Sequence, residues 1–217
     1  MLSLSEENYL KAIYHLQGEN ELTVSTNDLS NFVNNKASSV SDMLKKLSEK
    51  SLVIYKKYHG VSLSNEGKRT ALKIIRKHRL WEVFLVEKLN FKWNEVHDIA
   101  EQMEHIQSEK LTDELEKFLD FPKRDPHGDP IPNKDGEFQV FNKTLLSDLD
   151  KNESGICIGV KDTSANFLEY LDRRKIALGK KLTVVEKEDY DKSMVIKFDE
   201  ITVNISENIA QNLFIKP

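Results

Sequence analysis

The chain has 217 residues, 39% of them apolar and 31% charged, with a formal net charge of −4. This is enough chain to bury one or two cores unaided, and it is too apolar for a disordered polymer. One cysteine, Cys157, excludes an internal disulfide and favours a reducing, cytoplasmic setting, while the absence of a spanning-length apolar run and of a signal-peptide pattern at the start argues against a membrane or secreted protein.

Ser5 is the expected cap of a first helix, in which Asn8, Tyr9, Ala12, Ile13 and Leu16 recur at helical spacing. Ser25 to Val33 reads as a short second helix, and Asn34-Asn35-Lys36 is turn chemistry. Ala37 to Leu47 is a third helix with Val40, Met43, Leu44 and Leu47 on its apolar face. Leu52 to Tyr58, His59-Gly60 and Val61 to Ser64 predict a hairpin with glycine at the turn. Glu66 to about Leu89 is a long helix, and Glu95 to about Leu119 is another. Four of the five prolines then fall between Pro122 and Pro132, where no helix can continue. The polar stretch 133–153 reads as a linker. Beyond it, β-branched runs over 155–160, 181–186, 193–198 and 201–205 predict the strands of a small barrel.

The net charge alone argues against a nucleic-acid partner, but its distribution argues for one. Lys36 to Arg69 holds eight basic and three acidic residues, whereas Ala71 to Asp120 holds eight basic and eleven acidic. Two short helices, a tight turn and a basic hairpin, in that order, make a winged helix-turn-helix. Ala37, Ser38, Ser39, Ser41 and Asp42 are short, so the start of the third helix can approach base edges and phosphates. Lys45 and Lys46 follow one turn later, and Lys56, Lys57 and His59 sit at the hairpin; these supply backbone contacts. Each feature alone is equally a helix cap or a solvated face, and their order is what points to DNA. No arginine stands at the reading end, so bidentate guanine readout is not expected there.

The acidic region carries His97, Glu101, Glu104 and His105 at i, i+4, i+7 and i+8 of the predicted helix, and His78 and Glu82 at i, i+4 of the preceding one. Imidazoles and carboxylates without a thiolate suit Mn²⁺, Fe²⁺, Zn²⁺ or Co²⁺. A single such pair is usually a surface contact worth ~0.2–0.5 kcal/mol, and two stripes on consecutive helices are less often accidental. Met103 reads as core, and His15, His59 and His127 as structural or surface residues. Two other functions compete: a metal-dependent hydrolase on the same cluster, which leaves the basic hairpin unexplained, and a winged-helix regulator of an organic ligand.

Four stretches carry a resemblance. They begin at Glu6 (Glu-Glu-Asn-Tyr-Leu-Lys-Ala-Ile-Tyr), Arg76 (Arg-Lys-His-Arg-Leu-Trp-Glu), Val96 (Val-His-Asp-Ile-Ala-Glu-Gln-Met-Glu-His) and Asp125 (Asp-Pro-His-Gly-Asp-Pro-Ile-Pro). With them the chain resembles the diphtheria toxin repressor and manganese transport regulator family of metal-dependent repressors, in its long form. The resemblance implies an α+β protein: a winged helix-turn-helix over 1–70, a helical metal-binding and dimerisation domain over 71–132, a linker over 133–153 and a small SH3-like β-barrel over 154–217. It implies a homodimer on double-stranded operator DNA, no catalysis, and Mn²⁺ or alternatively Fe²⁺ at up to two positions per subunit. One position would use Glu101, Glu104 and His105 with Asn8 of the first helix, Glu7 being able to substitute only if that helix rotates. The other would use His78, Glu82 and His97, completed by Asp162, or by Asn166, from the SH3-like domain. Glu101 stands where iron-type members have cysteine, and Asn8 where the family has methionine or aspartate.

Overall fold

The computed structural model describes residues 2–18, 21–139 and 142–217. It divides into two compact units, one of Met1–His78, Glu101–Asp113 and Pro132–Glu137, the other of Arg79–Ala100, Glu114–Ile131 and Phe138–Pro217.

In the first unit, α1 (Leu4–Gln17) is capped by Ser3, two residues earlier than expected. Glu6 decides this. Its backbone N–H donates to the Ser3 hydroxyl at 3.3 Å and its carboxylate accepts from the Ser3 N–H at 2.9 Å, closing a capping box. Helix α2 (Thr26–Phe32) starts at Ser25, whose hydroxyl accepts from the Asp28 N–H at 3.0 Å. Helix α3 (Ala37–Glu49) follows, then the antiparallel hairpin β1 (Val53–Lys56) and β2 (Gly60–Leu63). Gly60 has φ +96°, and a Cβ there would meet the Val24 carbonyl at 2.5 Å, so the hairpin needs glycine at this position to lie against the Val24 segment. Leu10, Ile13, Leu29, Val40, Leu44, Leu47 and Val61 are fully buried together, which fixes α3 against α1 and leaves its opposite face to solvent.

Helix α4 (Asn65–Leu89) has 25 residues. The single helix expected over 95–119 is instead two, α5 (His97–Met103) and α6 (Glu109–Phe118). The Met103 carbonyl accepts a turn hydrogen bond from the Ile106 N–H at 3.2 Å, and Ser108 caps α6 by accepting from the Leu111 N–H at 3.2 Å. No proline or glycine marks the break. The Ser108 hydroxyl, by taking a free N–H of the next helix, fixes where α6 begins. Glu104 and His105 therefore leave the helical stripe and lie in a turn.

The second unit holds a six-stranded antiparallel sheet: β3 (Thr144–Leu145), β4 (Ser154–Val160), β5 (Lys181–Lys187), β6 (Met194–Phe198), β7 (Ile201–Ile205) and β8 (Leu213–Lys216), in spatial order β3-β8-β4-β5-β6-β7. Helix α7 (Ala165–Arg174) lies between β4 and β5, and the short α8 (Glu207–Ala210) precedes β8. Leu146, Leu168, Leu171, Leu182, Val184, Ile196, Leu213 and Ile215 make its core. The stretch expected as a linker is not featureless: it supplies β3, and it places Leu146 and Leu149 in that core. Val140 and Phe141, also within that stretch, lie outside the described residues. Among the described residues no helix is long and apolar enough to cross a membrane.

Candidate metal centre and nucleic-acid interface

Helix α3 buries one face and exposes Ala37, Ser38, Ser39, Asp42, Lys45 and Lys46, with Ser41 half-buried. Its first turn carries no acidic residue, and Lys36 at the cap position makes no side-chain cap. The first N–H groups are thus not capped by the Lys36 side chain, an arrangement that favours a phosphate. Lys56, Lys57, Tyr58 and His59 are exposed on the hairpin, and the Lys57 ammonium lies 5.1 Å from the Tyr58 ring centre. Helices α2 and α3 and the hairpin enclose a cleft of about 770 Å³.

The first unit also contains a carboxylate cluster. Glu7, Asn8 and Lys11 share one face of α1, which meets Glu101 of α5 and the turn residues Glu104 and His105. The Lys11 ammonium donates to Glu101 at 2.6 Å and to the two oxygens of Glu104 at 2.7 and 2.8 Å. His78 Nδ1 is 2.7 Å from Glu104 Oε2 and 3.9 Å from Glu101 Oε2. His105 Nδ1 is 2.6 Å from Glu7 Oε2, its Nε2 is 3.9 Å from Glu104 Oε1, and Gln107 donates to Glu7 Oε1 at 2.6 Å. Glu7 therefore faces the cluster without any rotation of α1. Glu104 is fully buried; burial pushes its carboxyl up, but the His78 hydrogen bond and the Lys11 charge outweigh this and hold it below the usual range.

One atom tests whether these residues suit a cation. Asn8 Oδ1 is buried and has no hydrogen-bond partner, and buried acceptors are almost always satisfied. Ligand atoms of His78, Glu101 and Glu104 lie within 4.8 Å of one another. An orphaned carbonyl on the helix that faces buried carboxylates and imidazoles is a donor set that fits a hard divalent ion.

A second cluster lies within the second unit. Glu82 of α4 stands 3.6 Å from His97 Nδ1 through one oxygen and 3.6 Å from His127 Nδ1 through the other. Asp125 joins Glu82 and His127 within 4.8 Å. Its Oδ1 accepts from the backbone N–H of His127 and of Asp129, both at 2.9 Å, while Arg79 Nε is 3.5 Å from its Oδ2. Burial, then the neighbouring Glu82 and Asp129 charges, push Asp125 up to about 7. Burial works against a charged His127, but the Glu82 hydrogen bond and charge prevail and raise it to about 9. His127 Nε2 lies 2.9 Å from the Trp93 carbonyl, with the imidazole stacked on the indole at 6.2 Å. The turn is fastened to the sheet: the Val160 N–H donates to the His127 carbonyl at 2.9 Å, and Arg124 donates to the Ile158 carbonyl at 3.0 Å.

Two expectations change here. His127, expected as a structural or surface residue, is 3% exposed and sits at the centre of this cluster. Asp162, expected as the completing ligand, instead accepts from the Ser164 N–H at 2.8 Å just ahead of α7 and belongs to none of the ligand groups among the described residues; Asn166 is exposed. An aspartate two residues before a helix cap is drawn into the local turn. The expectation for His78 stands: it offers a ligand atom within 4.8 Å of those of Glu82 and His97, and its Nδ1 also pairs with Glu104.

Residues 1–61 match the iron dependent repressor N-terminal DNA binding domain, 64–133 the iron dependent repressor metal binding and dimerisation domain, and 144–217 the FeoA domain. A solved manganese-dependent transcriptional repressor in complex with manganese is 33% identical, with TM-score 0.86, over 97% of this chain and 98% of that one. The chain belongs to this family of metal-dependent repressors. Among curated members, the iron-dependent repressor IdeR of Mycobacterium tuberculosis is 32% identical over 126 residues, 58% of this chain and 54% of that protein. A probable metal transport system membrane protein of Chlamydia trachomatis is 35% identical over 140 residues, 62% of this chain and 31% of that protein. The chain thus spans about half and about a third of these two curated relatives. The FeoA match begins at 144, where β3 begins.

Sequence reasoning missed Lys11 in the first cluster, where it admitted Glu7 only after a rotation of the helix, and Asp125 and His127 as donors in the second. The Asp-Pro-His-Gly string was visible as a helix breaker and as part of the resemblance, but not as a donor pair.

Proposed function

We propose that the protein is a metal-responsive transcriptional repressor that binds double-stranded operator DNA as a homodimer in the cytoplasm and controls divalent-metal homeostasis. Mn²⁺ is the preferred ion and Fe²⁺ the alternative. One observation carries this: a cluster of Glu101, His78 and His105 around the fully buried Glu104 meets α1 in the same compact unit that exposes α3. Glu101, Glu104 and His105 would hold one ion with the Asn8 carbonyl, and Glu82, His97, His127 and Asp125 a second. The all-oxygen and nitrogen donor set favours harder divalent ions over copper(I) or other thiophilic ions. When bound, the cation supplies positive charge that draws carboxylates and α1 together.

The chain's own residues connect that event to DNA. Glu6 of α1 accepts from Lys50, at the end of α3, at 2.6 Å, and the Tyr9 hydroxyl accepts from Asn35, in the turn before α3, at 3.4 Å. Any placement of α1 that better serves the cluster is therefore felt by the recognition helix. The bias equals the ion's differential affinity for the two placements and no more.

Gel shifts against duplexes selected from a random pool, with Mn²⁺ or with chelator, test this. Wild type is expected to bind only with the ion, and Glu104→Ala to remain folded with its metal response lost. Equal affinity with and without metal in wild type overturns the proposal.

A further inference from the structure

We infer that Lys11 is the first cluster's own counter-ion: its ammonium holds the carboxylates that a divalent cation needs, so the cation must displace it, and Lys11 sets the metal concentration at which the protein responds. This rests on the metal-responsive reading above and concerns the regulation of that same site.

The contacts are specific. Lys11 comes from α1, 90 residues from Glu101 in sequence, and reaches one oxygen of Glu101 and both of Glu104 at 2.6–2.8 Å. An ammonium has three N–H donors, and three carboxylate contacts match all of them. The Lys11 side chain is 13% exposed and that of Glu104 0%, so this is not a casual surface pair. A compact point charge aimed at two carboxylates occupies the electrostatic role of a bound cation.

The arrangement is also releasable. A lysine head rides on a flexible four-carbon stem and can swing to water without moving its helix. What the ammonium leaves unsatisfied is Asn8 Oδ1, three residues away on the same face of α1 and buried without a partner. Exchange of the ammonium for a cation that also takes the Asn8 carbonyl satisfies both. Until then Lys11 keeps Glu101 and Glu104 together, so the carboxylates are already gathered. The exchange has a built-in charge filter. A monovalent ion brings no more charge than the ammonium it displaces, whereas a divalent ion brings twice as much.

The test uses the full-length protein freed of metal, wild type against Lys11→Met. Calorimetric titration with Mn²⁺ is expected to show about tenfold or greater tightening in the variant, the equivalent of one charge-assisted hydrogen bond no longer opposed. The metal-free variant is expected to melt at a lower temperature than metal-free wild type, while Mn²⁺ raises its melting temperature by more. In wild type, acetylation of Lys11, read by peptide mass spectrometry, is expected to be slow without Mn²⁺ and faster with it. Should Lys11→Met fail to fold, Lys11→Gln, which keeps a donor and loses the charge, carries the same expectations. Equal or weaker Mn²⁺ affinity in the neutral variant, or Lys11 labelling unaffected by Mn²⁺, overturns the inference while leaving the repressor reading intact. Absence of divalent-ion binding in wild type and variants alike removes both.

Discussion

The two clusters use the same donors and balance their charge in opposite ways. Around Glu101 and Glu104 the main counter-charge is a lysine on another helix, held by a flexible stem. Around Asp125 it is built into the immediate frame: two backbone N–H groups of the same turn, the His127 ring and Arg79. A carboxylate balanced by a swinging partner can exchange it. A carboxylate balanced by its own backbone is fixed, and here it secures the turn against which β4 lies. On the proposed function, donor identity alone therefore does not separate a responsive site from a structural one. The origin of the balancing charge does.

That contrast can be broken at its rigid end first. Gly128 has φ +92°, and a Cβ there would meet the Ile158 carbonyl at 2.1 Å. Gly128→Ala is expected to cost about 4 kcal/mol through backbone strain and displacement of β4, read by denaturant unfolding of the metal-free protein. Arg79→Met should cost about 3 kcal/mol, because it removes the partner of buried Asp125, of Asp129 and of the Pro130 carbonyl, and Asp125→Asn added to it should recover only part of that loss. Glu82→Gln sharpens the comparison by stoichiometry: metal analysis is expected to fall from two ions per chain to one, with the Mn²⁺ response of DNA binding reduced but retained. The smallest effect belongs to Glu6, which neither cluster uses. Its carboxyl is held below 4.5 by the Lys50 and Ser3 hydrogen bonds, so it stabilises the fold above that pH and loses the contribution as pH falls through its lowered value. Glu6→Gln should cost about 1 kcal/mol at pH 7, and the gap from wild type should close in acid.

Much of the frame was legible because its causes are local. The apolar spacing of Val40, Leu44 and Leu47 and the glycine at Gly60 announce α3 and the hairpin with no tertiary information. The strands from Ser154 to Ile205 follow from β-branched runs. Other features depend on partners far along the chain. Leu146 reads as a linker residue until β8, about seventy residues later, pairs with the strand before it. The break after Met103 carries no proline or glycine, and only a serine cap marks where α6 resumes. Within the candidate site, Glu101, Glu104 and His105 were visible by spacing, although the helix that made the spacing persuasive ends at Met103. Lys11 and His127 were not visible as members of either cluster. A lysine on an amphipathic helix looks like solvent-facing decoration, and a histidine in a proline-rich turn has no periodicity to give it away.

Helix α1 is short, capped at its start, and keyed along one edge to Asn35 and Lys50 and along another to Glu101, Glu104 and His105. No joint separates the two edges. Such a part behaves as an axle rather than a cable: it cannot slacken between sensor and grip, and it transmits a turn in either direction. On the proposed function, occupancy of the duplex tightens the hold on the ion by the same factor as the ion tightens the hold on the duplex.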